Sequence, residues 1–490
     1  MKSTARKSLA AVLALLLLLG TLSVGAFASN TGYEPLRIHC TFYGDSKTQR
    51  GFNWFTAKDC DSVVQVVKAA NYGGSFDNAV EYTGSSEGFQ DYTSHKVVVT
   101  GLTKGTTYYY RVGSADNNIW SAAGKFVTDN GDGKFSFLAI ADVQASSLEN
   151  FQKAAVVMDK ARATDKNAEF YINLGDFVND CTNDEWNWYG QTFEKTNTNL
   201  TLAPVAGNHE GNPTNKLNPG WFEKTFCLQK GENSLTVNGV YYSFDYGNAH
   251  FTVLNSNDMY PMTQQQRNWC VNDIKQSNAR WKILLLHRAA YSAGKNINKP
   301  DTIAMRDTII GIVDETNVDI VFSGHDHMYM RTKQVKGDAP VEVTYKDMSF
   351  GGKTYTFAQN PDGAVYILPS TAGTKRYTVN DNPIDPIREC AEKTESTRDL
   401  GGCFADVKID GSKLVYTAYT VNDETGKVTK LDEYAIYKSK NSPDQSDDHL
   451  EATDIIGSLD GSVSNTFFEI LKLIITYLTK LLPQTIKGLF

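Results

Sequence analysis

Seven side chains with metal-binding chemistry recur in one kind of place along this chain, just after a short apolar run. Residues 135–140 lead into Asp142, residues 170–174 into Gly175-Asp176, and residues 200–205 into Gly207-Asn208-His209-Glu210. Residues 283–286 lead into His287, and residues 318–322 into Gly324-His325-Asp326-His327. The set is two Asp, one Asn and four His, so it offers oxygen and imidazole donors and no thiolate. Such donors suit zinc, manganese or iron better than calcium, which prefers an all-oxygen shell. Two ions explain the count better than one, because a carboxylate at Asp176 can bridge ions held about 3.5–4 Å apart. Taken singly, each residue has a plainer reading: an Asp after a strand is commonly a turn residue or a helix cap. A lone His is commonly a satisfied polar group, and His39, His95, His250 and His449 read that way. The fivefold repetition argues for one crevice.

Strands must deliver these groups. From Lys134 onward apolar runs alternate with helical stretches, which predicts a layered α/β domain over residues 134–437. Ligands in open α/β sheets collect where strands end at their carboxyl edge, so five strand ends can meet there. The glycines before Asp176, Asn208 and His325 let the backbone turn sharply near the ions. Residues 33–128 differ: short runs such as Val97-Val98-Val99 and Tyr108-Tyr109-Tyr110 between turn residues predict a small all-β sandwich. No acid, base or metal-binding cluster occurs in it, so its expected role is packing or positioning.

The 490 residues allow two to four domains, and 41% hydrophobic with 21% charged content fits a globular chain. Lys2, Arg6 and Lys7, an apolar run over residues 9–19 and Ala26-Phe27-Ala28 read as a signal peptide over residues 1–28, implying a secreted or cell-surface protein. Its removal takes the formal charge from −8 to −11, a balance that argues against binding a nucleic-acid backbone. None of the seven cysteines forms a C-x-x-C pair; Cys40 with Cys60 and Cys390 with Cys403 are the plausible local disulfides. Residues 441–462 carry six acidic residues and no Lys or Arg, and read as a solvated linker. Residues 463–490 include an amphipathic helix, with Phe468, Leu471, Ile475, Leu478 and Leu482 on one face. Docking on its own protein, self-association, and lying on a membrane or cell envelope all fit that face.

The order Asp, Gly-Asp, Gly-Asn-His-Glu, His, Gly-His-x-His resembles the calcineurin-like metallophosphoesterases. Gly324-His325-Asp326-His327-Met328-Tyr329 and the preceding β-sandwich resemble their purple acid phosphatase branch. The resemblance spans residues 33 to 437 and implies a four-layer α/β/β/α sandwich preceded by a small fibronectin type III-like domain. It implies two metal ions, iron, zinc or manganese: one held by Asp142, Asp176 and His327, the other by Asp176, Asn208, His287 and His325. His209 matches the family's histidine that contacts the phosphate or leaving group. A hydroxide bridging the ions would attack phosphorus, and His209 would stabilise or protonate the leaving oxygen. Arg288, Tyr291 and Tyr329 adjoin ligands and are candidates for the substrate crevice. Three positions depart from the patterns of the relatives. Asn179 stands where the ferric-iron tyrosine is expected, and Gln144 stands where many relatives outside the branch carry a ligating His. Both are therefore weak ligands or supports, and the enzyme is expected to be colourless with an easily exchanged first metal. Asn296 replaces the substrate histidine of the plant enzymes, nine residues after His287.

The leading expectation is a secreted phosphomonoesterase of the acid phosphatase type, acting on a phosphate ester. A phosphodiesterase or nucleotidase on the same ions is the alternative, and a surface binding protein with a vestigial metal site is the alternative of another class.

Overall fold

The strand Trp281–Arg288 shows how the larger part of the molecule is built. Residues 283–286 are uniformly apolar because successive side chains enter different cores. Trp281, Ile283 and Leu285 join a cluster with Phe137, Phe170 and Phe251, whereas Leu284 and Leu286 join one with Val271, Ile274, Ile309 and Ile312. Those last four come from the helices Gln264–Gln276 and Pro300–Thr316. The computed structural model describes residues 31–211, 220–229, 240–257 and 262–439. The expected signal peptide, acidic linker and amphipathic helix lie outside the described residues.

Two sheets face each other across the first core. In an eight-stranded sheet, Ala249–Val253, Trp281–Arg288, Ile320–Gly324 and Ala364–Pro369 run parallel. In a twelve-stranded sheet, Lys134–Ile140, Phe170–Asn173 and Thr201–Pro204 run parallel near the middle. Phe137 makes the join, meeting Phe251 edge-on at 5.5 Å between ring centres and Phe322 at 6.4 Å. Helices Leu148–Thr164 and Asn183–Asn197 cover the outer face of the larger sheet. The first is capped by Ser147, whose side chain accepts from the Asn150 N–H, with Glu149 in its first turn and Arg162 in its last. The layers run helix, sheet, sheet, helix, as the sequence implies.

The all-β part is joined to these layers more closely than the sequence suggests. Leu36–Thr41, Arg50–Thr56, Tyr92–Val99 and Ser85–Phe89 form one leaf of its sandwich. Leu36–Thr41 also pairs in parallel with Thr201–Pro204, so this leaf and the larger sheet are one twelve-stranded surface. Arg50 pins the junction. Its fully buried guanidinium donates to Thr201 Oγ1 at 3.2 Å, to the Ser46 and Gln49 carbonyls at 2.7 Å, and to the Val127 carbonyl at 2.6 Å. A buried cation that satisfies four acceptors is costly to truncate, because each would be left unpaired.

The structure corrects the expected disulfides: none of the seven cysteines is in a disulfide. Cys40 Sγ faces Thr201 Oγ1 at 4.0 Å, Cys390 Sγ faces the Asp338 carbonyl at 3.8 Å, and Cys403 Sγ faces the Gly401 carbonyl at 3.8 Å. Burial pushes the Cys40 and Cys403 thiols up to about 12. Nearness in sequence did not make the side chains face each other.

His250 is more than a satisfied polar residue. Its ring lies 2.7 Å from Asp245 Oδ1 and 2.9 Å from Asp273 Oδ2. Burial favours the neutral ring, but the two carboxylates outweigh it and raise its pKa to about 9. A raised folded-state pKa contributes stability that is complete below the ordinary histidine value and lost as pH rises through about 9. With the exposure of Asp245 discounted, the contribution is about 2 kcal/mol. Thermal melting should therefore show His250→Gln destabilised at about pH 6 and much closer to wild type at about pH 10. An equal penalty at both pH values would contradict this assignment.

Candidate metal centre

The carboxyl ends of both parallel strand sets meet at one edge of the sandwich. Asp142 and Asp176 follow Lys134–Ile140 and Phe170–Asn173, and Asn208 opens a short turn of helix after Thr201–Pro204. His287 lies near the end of Trp281–Arg288, and His325 and His327 follow Ile320–Gly324. Backbone bonds stitch the first two loops: the Asp142 N–H donates to the Gly175 carbonyl at 3.0 Å, and the Gln144 N–H to the Asp176 carbonyl at 2.8 Å. Asp142, Asp176 and His325 all take left-handed backbone, with φ of 51°, 52° and 74°. Each such non-glycine residue costs about 1–2 kcal/mol, so the surrounding structure must enforce the turns. Glycine is required where two loops touch: a Cβ on Gly175 would sit 2.6 Å from His287 Nδ1, and one on Gly207 only 2.1 Å from the Asp176 nitrogen.

Ligand atoms of Asp142, Asp176 and His327 lie within 4.8 Å of one another, and so do those of Asp176, His287 and His325. Asp176 belongs to both groups. Asn208 Oδ1 joins the second, 3.0 Å from His287 Nε2, which is itself 3.3 Å from Asp176 Oδ2. The imidazoles are aimed from behind. His287 Nδ1–H donates to the Leu174 carbonyl at 2.8 Å and His327 Nδ1–H to the Lys375 carbonyl, which leaves both Nε2 lone pairs facing inward. Burial and the nearby His287 and Arg288 hold the His325 pKa well below its ordinary value, as a neutral donor requires. Burial opposes ionisation of Asp176, yet His287 and His209 hold its carboxyl well below the usual range. His287 shifts the other way, to about 9, against its own burial and through Asp176, so a proton on it competes with a metal.

These residues fit a pair of cations. Asp142 and Asp176 are buried, and their side-chain partners are backbone N–H groups and histidines. Buried carboxylates this close require positive charge between them. Beside them the Gln144 amide donates to Asn179 Oδ1 at 3.2 Å and lies against His209 Nε2, while its own Oε1 is buried without a partner. An unpaired buried carbonyl oxygen suits a cation or an ordered water. His209 Nδ1–H donates to the Asn179 carbonyl, and Nε2 stands 3.9 Å from Asp176 Oδ2.

The three candidates for the substrate crevice fare differently. Arg288 reaches the centre, with Nη1 3.4 Å from His325 Nε2. Tyr291 and Tyr329 are not brought there. The Tyr291 hydroxyl donates to Asp338 Oδ1 at 2.7 Å and its ring packs on Tyr366, while the Tyr329 hydroxyl donates to Asp432 Oδ2 at 2.7 Å. Both lie in apolar cores, because adjacency to a ligand along the chain does not put a side chain on the same side.

Sequence reasoning missed three supports. Glu210 accepts from the Asp176 and Gly207 nitrogens at 2.9 and 3.0 Å and from Val178 at 3.2 Å, clamping two ligand loops together. Burial and the neighbouring Asp176 raise its pKa to about 8. Asp326 accepts from Ser292 and Asn296, which fixes the loop after His287 and commits Asn296 to structure. Tyr377 stacks on His327 at 4.5 Å with planes 10° apart. Glu210 and Asp326 were visible inside the ligand motifs, whereas Tyr377, fifty residues beyond its partner, carried no local signal.

Residues 35–128 match the purple acid phosphatase N-terminal domain family, and residues 135–329 match the calcineurin-like phosphoesterase family. Purple acid phosphatase 22 of Arabidopsis thaliana is 23% identical over 369 residues, which cover 71% of this chain and 80% of that protein. Purple acid phosphatase 1 of Ipomoea batatas is 26% identical over 337 residues, covering 64% of this chain and 68% of that one. Among solved structures, a purple acid phosphatase from yellow lupin seeds superposes with a TM-score of 0.65 at 15% identity, over 83% of this chain and 75% of that one. The structure of PhoD superposes with 0.58 at 14% identity, over 84% and 92%. Order of motifs, fold and relatives agree that this chain belongs to the purple acid phosphatase branch of the calcineurin-like metallophosphoesterases, a family of dinuclear metal-dependent phosphatases.

Proposed function

We propose that the protein is a secreted phosphomonoesterase. In this reading Asp142, Asp176 and His327 hold one ion, and Asp176, Asn208, His287 and His325 hold the other. The observation that carries it is the membership of Asp176 in both ligand groups, which is what a pair of ions sharing one carboxylate needs. When bound, the ions supply Lewis acidity toward phosphoryl oxygens and a nucleophilic water at neutral pH. The chain's own groups do the rest. As an imidazolium, His209, held by Asn179 at Nδ1 and a quarter exposed, would stabilise or protonate the leaving oxygen through Nε2. Arg288 lies beside His325 and places a guanidinium against phosphoryl charge. The unpartnered Gln144 oxygen supports its role as a weak ligand on the first side, with Asn179 orienting it.

Secretion rests on the amino-terminal signal pattern, and residues 33–128 serve as a rigid support through the shared sheet. In the sequence, apolar residues recur at helical spacing within residues 463–490, a pattern that would suit a membrane or envelope surface.

Two outcomes follow. With p-nitrophenyl phosphate and its bis ester as paired substrates, the monoester should be turned over with the higher kcat/KM, by about tenfold or more. Preference for the diester by a similar factor would replace the monoesterase reading with a phosphodiesterase. Loaded with ferric iron, the protein should show no phenolate-to-iron absorption band, since Asn179 has no phenolate, whereas Asn179→Tyr should acquire one. A purple wild-type enzyme would contradict the placement of Asn179.

A further inference from the structure

A cavity of about 340 Å³ opens where five strands of the two sheets come together, and no candidate metal ligand lines it. That volume lies within the range of small-molecule sites, roughly 300–1,000 Å³. In the eight-stranded sheet, Tyr329–Lys336 supplies Arg331 and Ala391–Glu395 supplies Glu392. In the twelve-stranded sheet, the hairpin of Tyr345–Phe350 and Lys353–Gln359 supplies Tyr345 and Tyr355, and Val428–Tyr437 supplies Glu433 and Tyr434.

The aromatic walls are set in advance. The Tyr355 ring meets Phe350 edge-on at 6.1 Å and Phe357 at 6.3 Å, and the Arg331 guanidinium covers the Tyr434 ring at 4.7 Å. Gln334 donates to the Tyr434 hydroxyl at 3.1 Å, and Phe357 pairs with Ala435 to fasten the hairpin to the sheet. Tyr345, 56% exposed, is the most exposed aromatic ring among the described residues. A ring left in water beside other fixed rings offers a flat apolar face to a ligand.

The polar groups narrow the chemistry. Arg331 donates from Nε to Asp432 Oδ2 at 2.7 Å and from Nη2 to Oδ1 at 3.3 Å, and Lys430 pairs with Glu433 at 3.2 Å. Charges compensated in this way do not call for a strongly charged ligand. Three groups make no hydrogen bond among the described residues: Arg331 Nη1, on a side chain only 9% exposed, the Tyr355 hydroxyl and the Glu392 carboxylate. They are a donor, a hydroxyl that both donates and accepts, and an acceptor. A pyranose ring matches the set, with an apolar C–H face to lie on tyrosine and hydroxyls at its rim that donate and accept. A bare cation would leave the guanidinium corner unpaired, and an anion would meet Glu392 and Glu433.

We propose that this cavity binds a sugar residue of a neutral saccharide, with Tyr345 and Tyr355 as stacking surfaces and Arg331, Glu392 and Glu433 holding hydroxyls. The site goes beyond the phosphatase reading, since no residue assigned to the ions or to phosphate lines it. Calorimetric titration of the full-length protein with neutral gluco-, manno-, galacto- and xylo-oligosaccharides and oligomers of N-acetylglucosamine tests it, with choline chloride as the cationic control. At least one saccharide series should saturate the protein. Tyr345→Ala should weaken that binding about tenfold and Glu392→Gln about threefold, while Tyr345→Phe keeps it. Both positions are exposed, and each variant should hydrolyse p-nitrophenyl phosphate at the wild-type rate. Failure of every saccharide to bind, saturable binding that Tyr345→Ala leaves unchanged, or binding of choline in preference to every saccharide would overturn the site. A protein that binds saccharide through Tyr345 yet hydrolyses no p-nitrophenyl phosphate would instead overturn the phosphatase reading and leave the site standing.

Discussion

Two buried carboxylates held against one another are the constraint around which the rest is arranged. Asp142 and Asp176 lie at the seam between two sheets, almost without exposure, each with a ligand atom within 4.8 Å of the other's. Left alone, such a pair would repel strongly in a medium of low polarisability or take up a proton. Imidazoles and backbone N–H groups surround it instead of lysine or arginine partners, which leaves the compensating charge to ions. The acidic surplus of the whole chain is therefore no obstacle to an anionic substrate, since the local field is set by what the carboxylates hold.

Keeping that arrangement open to substrate requires strain and reinforcement together. Three of the candidate ligands, Asp142, Asp176 and His325, sit in left-handed backbone, and the loops that bear them could relax were they not tied. Glu210 ties the Asp176 loop to the Gly207 loop, Asp326 ties the loop after His287, and Tyr377 backs His327 with its ring. The amino-terminal sandwich contributes at longer range. Its inner leaf continues the twelve-stranded sheet beside Thr201–Pro204, the strand that leads to Asn208, and Arg50 locks that join.

What could be read from the sequence follows a physical rule. The convergence of Asp142, Asp176, Asn208, His287, His325 and His327 on one edge was legible because each follows an apolar run, and parallel strands bring such ends together whatever the loops between them do. Tyr291 and Tyr329 misled because proximity along the chain was taken for proximity in space, and their side chains leave on the core side. Tyr377 was illegible for the opposite reason. It meets His327 only after the loop that bears it folds back over the sheet edge, and no periodicity records such a meeting. The cysteine pairs failed likewise, because sequence spacing does not say which way a thiol points. The break between residues 128 and 134 is real in composition, yet one sheet crosses it.

The central claim is that one carboxylate, Asp176, serves two ions. Metal content per chain, measured by mass spectrometry after equilibration with excess metal and removal of the unbound fraction, tests it most directly. The account predicts about two equivalents for wild type, about one for Asp142→Asn, and well below one for Asp176→Asn. An Asp176→Asn protein that keeps both equivalents, or a wild type that holds one at most, would contradict it.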